Sequence, residues 1–140
     1  MLLLPKYINE EIRGKVSFPP NLTSKEVARA LHLYIQTARK ENGLHIVVTN
    51  MGILKGEISF EFCAEHIQKK GFLCKKRFIP SRFSIVSVID FSDSIQAFLQ
   101  EKSKLVKHHF GTGYNLRIVG QTMKEGDNQI LVCVLAEKSG

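Results

Sequence analysis

The sequence predicts an α+β fold: one antiparallel sheet of about five strands with two helices packed on one face, in the order α-β-β-β-α-β-β. Two stretches carry apolar residues at helical spacing, each opened by a capping residue and closed by glycine. Between and after them lie β-branched and aromatic runs separated by Asn, Gly and Lys-Gly turns. Of 140 residues 44% are hydrophobic, enough to bury one core, so a single domain over 1–140 is expected, with 1–20 available as an N-terminal arm.

A short strand at 15–18 precedes Pro19-Pro20. Thr23-Ser-Lys-Glu26 has the form of a capping box, Thr23 accepting from the Glu26 amide while the Glu26 carboxylate reaches back. Val27, Leu31, Tyr34, Ile35 and Ala38 then form one apolar stripe, and Asn42-Gly43 stops the helix. Two strands follow at 44–49 and 57–62, separated by Asn50-Met51-Gly52 and Lys55-Gly56, which supply the residues of a hairpin connection. In the second, Ile58, Phe60 and Phe62 alternate with Glu57, Ser59 and Glu61, so one face is buried and one wet.

A third strand is expected over 84–89, with Asp90 or Ser92 capping a second helix whose stripe is Ile95, Phe98, Leu99, Leu105 or Val106, and His109. Lys102, Lys104 and Lys107 suit the C-terminal half of that helix, where the dipole favours cations. The tail reads as a hairpin of 116–121 with 129–136, and because Ile130 to Ala136 is apolar on both alternations it is the candidate central strand. Each helix is followed by a hairpin, the order a duplicated unit would give, but the residues of the two halves do not match.

Twenty Lys and Arg against 13 Asp and Glu give a net charge of +7. Six of the cations (Lys69, Lys70, Lys75, Lys76, Arg77, Arg82) fall among the fifteen positions 69–83, which hold no acid. Phe72, Phe78 and Phe83 are interleaved with them. Cations neutralise phosphates while rings stack on bases, so Lys69, Lys70, Phe72, Lys75, Lys76, Arg77, Phe78 and Arg82 are the candidate nucleic-acid-binding residues, with RNA favoured. The competing reading is a solvated basic segment anchored to the core by its phenylalanines. The same charges would also meet an acidic protein partner, with the protein acting as an interaction adaptor that dimerises through its sheet. Helix, three strands, helix from Thr23 to Phe110 resembles the double-stranded-RNA-binding domain in order alone, with Asp90 and Asp93 where that family would want lysines.

Other constellations carry less chemistry. Cys63, His66 and Cys74 offer thiolate and imidazole donors for zinc, but without a known spacing or a fourth ligand. His108-His109 would need the fold to bring Asp90 or Glu101 to them before acting as a general base. Gly111-Thr112-Gly113 follows a helix, whereas a phosphate loop precedes one. The familiar hydrolase, redox, metalloprotease and nucleotide-binding motifs do not occur. The expectation is therefore a non-enzymatic subunit of a larger complex, or a homodimer, with no metal and no cofactor.

Val47, Thr49, Ser59, Val119 and Gln121 are expected on an exposed face that is less charged than a fully solvated one. Met1 to Leu4 are apolar for only four residues, and no run approaches the roughly 18 needed to span a bilayer, so no membrane partner is expected. Three cysteines, an odd number without a disulfide framework, suit the cytoplasm or nucleus.

Overall fold

The computed structural model describes residues 12–67, 80–123 and 128–139. The elements are β1 (Ile12–Phe18), α1 (Ser24–Asn42), β2 (Leu44–Leu54), β3 (Glu57–His66), β4 (Arg82–Asp90), α2 (Ile95–Phe110), β5 (Tyr114–Met123) and β6 (Gln129–Lys138). The α+β class and both helices stand as expected. The single sheet of about five strands does not: among the described residues six strands form two three-stranded antiparallel sheets, ordered β1-β3-β2 and β4-β6-β5.

Each sheet belongs to one half of the chain, and each half is β-α-β-β with the third strand central. Both hairpins also break register at the matching place. Thr49 is the extra residue between Val48 and Asn50 of β2, and Val119 between Ile118 and Gly120 of β5. The hint of a duplicated unit is thus met in topology, although the two sets of side chains differ.

Local chemistry explains the elements. Thr23 Oγ1 accepts from the Glu26 amide at 3.1 Å and Glu26 Oε1 from the Thr23 amide at 3.0 Å, completing the box that opens α1. Gly43 closes it with φ of 62°, the left-handed conformation that glycine adopts without strain. Lys55 and Gly56 both have positive φ, 53° and 78°, the geometry of the two-residue turn that matches strand twist. In α2 the cap is Ser94, not Asp90 or Ser92, its hydroxyl accepting from the Ala97 amide at 3.2 Å. Asp90 is still in β4, and Asp93 closes the turn behind it, its amide donating to Asp90 O and its Oδ2 accepting from the Asp90 amide.

The helices do not share one face of one sheet. α1 packs on β2 of its own sheet and on β4 and β6 of the other, uniting Val27, Ala28 and Leu31 with Val48, Ile58, Phe60, Val86, Leu131 and Cys133. α2 covers the opposite face of the second sheet through Phe98 on Val132 and Val134, and through Val106 near Phe83 and Ala136. β6 is therefore covered on both sides and buried continuously from Leu131 to Ala136, as its unbroken apolar run predicts. Of the expected α2 stripe, Val106 and not Leu105 takes the inner position, and the end needs correction: His109 is exposed and Phe110 packs inward. Val47 is buried, and Val119 packs partly buried against the core, so neither lies on an open face.

Where the two sheets meet, β2 and β4 do not pair. The Val48 amide donates to Ser84 Oγ at 2.9 Å, and β2 then crosses toward Gly120 of β5. A side chain stands where a ladder bond would be, and this keeps the edges apart. It also removes the resemblance to the double-stranded-RNA-binding domain, whose three strands make one sheet.

Candidate nucleic-acid interface

Of the candidate residues, Lys69, Lys70, Phe72, Lys75, Lys76, Arg77 and Phe78 lie outside the described residues, and Arg82 opens β4 half-buried. Phe83 is a core residue, its ring 4.5 Å from that of Phe110 and 5.4 Å from that of Tyr114. The chain on either side of residues 68–79 is held at one place. The Ile67 amide donates to Gly43 O at 2.8 Å, and His45 Nε2 lies 2.8 Å from Arg82 O. Tyr114 donates its hydroxyl to Pro80 O, and the Lys138 amide donates to Ser81 O. The described chain on both sides of residues 68–79 is thereby fixed around the start of β2.

The rest of that pole is also basic. Both helices end there, with Arg39 and Lys40 in the last turn of α1 and Lys107, His108 and His109 in that of α2. Cations in those turns offset the partial negative charge of the helix C-termini. Arg13 near the start of β1 pairs with Cys63, and Lys138 ends β6 with its ammonium 5.9 Å from the Tyr114 ring centroid. Among the described residues the acids at this end are Glu41, Glu65 and Glu137, the last joined to Arg117 at 3.3 Å. Both partners of that pair are largely exposed, so its worth is small.

The weaker candidates separate. Cys63 is buried within the first sheet, His66 is exposed at the end of β3, and Cys74 lies outside the described residues. No group of three or more potential metal ligands forms among the described residues. The His108 and His109 rings sit 4.9 Å apart and are exposed, while Asp90 lies at the far end of β4, beyond the other end of α2. Burial pushes the Cys133 thiol up from 9.0 to about 12, which removes it as a nucleophile near neutrality.

Sequence reasoning missed a groove of about 520 Å³ between the two helices, on the other half of the molecule. Its floor is Val86 to Ile89 of β4, one wall is α1 with Lys25, Ala28, Arg29 and His32, and the other is α2 with Phe98, Glu101 and Lys102. The only advance signal was the cationic character of the flanking helical positions. Among the described residues no helix is long and apolar enough to cross a membrane. No family model, curated protein or solved structure matches the chain.

Proposed function

We propose that this protein is a non-enzymatic nucleic-acid-binding subunit of a larger complex, with RNA or another single strand as its ligand and residues 69–83 as the main contact. The observation that supports this reading is the convergence just described. The residues flanking 68–79, Ile67 and Pro80 to Arg82, are held at the same pole as the basic last turns of both helices. Lysine and arginine there neutralise consecutive phosphates, and Phe72 and Phe78 supply rings for unstacked bases. A footprint wider than 69–83 follows, because Arg39 and Lys107 approach the same pole from elsewhere in the sequence.

The test is fluorescence anisotropy of the full chain against a short labelled single-stranded RNA and a duplex across a salt series. Log affinity should fall linearly with log salt, losing about 0.7 of slope for each single-strand phosphate released when Lys75, Lys76 and Arg77 are replaced together by Glu. Arg39→Glu with Lys107→Glu should weaken binding further, whereas Lys55→Glu at the β2–β3 turn, on the opposite pole, should not. No binding at low salt, or equal loss from Lys55→Glu, overturns the proposal.

A further inference from the structure

The groove between the helices has an unusual floor, a strand edge carrying one open stretch. β4 bonds to β6 through its odd-numbered residues: the Phe91 amide donates to Asn128 O and the Lys138 amide to Ser81 O, at the two ends of the register. In an antiparallel ladder the intervening residues turn both their N–H and their C=O away from the partner. For β4 these are Arg82, Ser84, Val86, Val88 and Asp90, and β4 is an edge strand.

Most of that edge is closed by other groups. Arg82 O meets His45 Nε2 at 2.8 Å, and Val86 O meets His32 Nε2 at 2.9 Å. Ser84 faces β2, and Asp90 is satisfied by Asp93 through both its amide and its carbonyl. Val88 falls between these closures with its N–H and C=O directed outward and no strand beside it among the described residues. The Val86 N–H points the same way. Exposed edges invite pairing, and natural proteins cover them with other groups, as at Arg82 O, Val86 O and Asp90.

From this geometry we infer that the groove is a docking site for an extended peptide segment bearing adjacent acidic residues, which adds to β4 opposite Val86–Val88. A floor that presents a donor and an acceptor from one residue is matched by another peptide backbone; an ionised phosphodiester has no proton to donate to the Val88 carbonyl. Successive side chains of an added strand point to opposite sides. One acid of an adjacent pair therefore faces Lys25 and Arg29 on α1, and the next faces Lys102 on α2. Lys25 and Arg29 are exposed, and Lys102 is held with its ammonium 5.5 Å from the Phe98 ring centroid. Among the described residues Glu101 is the one acid lining the groove, so these walls carry a net positive charge that an acidic segment complements.

The site lies on the opposite half of the molecule from the basic pole, so the two proposals fail independently. The probe is a labelled synthetic peptide of about eight residues, a typical strand length, with a central Glu-Glu flanked by Val and Thr. Controls are the same peptide with Lys-Lys, and two versions N-methylated on alternate residues. Anisotropy on the full chain should show binding by the Glu-Glu peptide and not by the Lys-Lys peptide. Charge reversal at Lys25, Arg29 and Lys102 together should weaken it by at least about tenfold. N-methylation of one alternating set should abolish binding and of the other set spare it, and the Val88 amide should shift in a ¹⁵N–¹H spectrum. The Lys75, Lys76, Arg77 reversal should leave this binding unchanged.

Absence of binding overturns the inference, as does equal tolerance of both methylated peptides, which would mean charge attraction without strand addition. Displacement of the peptide by single-stranded RNA in the pole-reversed variant would make the groove a nucleic-acid site instead. Concentration-dependent dimerisation lost on groove charge reversal would make a second copy the occupant.

Discussion

Gly120→Ala probes the contact that fixes how the two sheets cross. The bulges at Thr49 and Val119 bend β2 and β5 so that Met51 lies over Gly120. A Cβ at position 120 would stand 2.5 Å from Met51 Cβ and 2.8 Å from Met51 Cε. The Cε end can rotate away, but Cβ is set by the backbone of β2. Carbon pairs are comfortable at roughly 3.5–4.0 Å, so the strands must separate by about 1 Å. Overpacking of this kind costs about 1–3 kcal/mol. Gly120 is not one of the left-handed glycines, so alanine recovers roughly 0.4–1 kcal/mol by restricting the unfolded chain. The midpoints of these ranges leave a net loss of roughly 1.3 kcal/mol. Urea unfolding followed by far-UV circular dichroism should show a lower midpoint with unchanged slope. A double-mutant cycle then identifies the clashing atom: the penalty should persist with Met51→Ala, which keeps Cβ, and vanish with Met51→Gly. An equal penalty in all three backgrounds, or none in the native one, refutes the reasoning.

Two further outcomes follow from the same structure. With its thiol near 12, Cys133 should resist iodoacetamide at pH 8 in the native protein and react once urea unfolds it; peptide mapping that finds native Cys133 labelled at the unfolded rate would contradict its burial. Thr23→Ala removes one half of a reciprocal cap and Ser94→Ala a single hydroxyl bond, so the first should cost about 1–2 kcal/mol and the second about 0.5–1 kcal/mol, with the reverse order counting against the capping box.

What was legible in the sequence was what is decided locally. The α1 box and its stop at Gly43 depend on residues within one turn, and both are read directly. The central position of β6 was legible because burial on both faces leaves an apolar run with no alternation. The α2 cap was not, because Asp90, Ser92 and Ser94 are all competent and the choice rests on how far β4 runs. The separation of the sheets was also hidden. It depends on Ser84 taking the Val48 amide and His45 reaching Arg82 O, ordinary residues far apart in sequence. The groove was hidden for a further reason: its floor is backbone, and no side-chain pattern records which amides of an edge strand face outward.

The same contrast explains why a duplicated topology left so little trace. The halves share what backbone geometry requires, a hydroxyl cap before each helix and a bulge at the same point of each hairpin. They differ wherever packing decides. The first sheet is covered by α1 on one face, so β3 keeps Glu57, Ser59 and Glu61 toward solvent; the second lies between α1 and α2, so β6 can keep none. Placing α1 against both sheets breaks the equivalence of the two units, and with it the equivalence of β1 and β4, the corresponding edge strands. Of these two edge strands it is β4 that runs between two helices among the described residues, and this position closes part of its edge with His32 while leaving Val88 open beside Lys25, Arg29 and Lys102. The groove is therefore a product of how the two units are packed together, and a single β-α-β-β unit would not possess it.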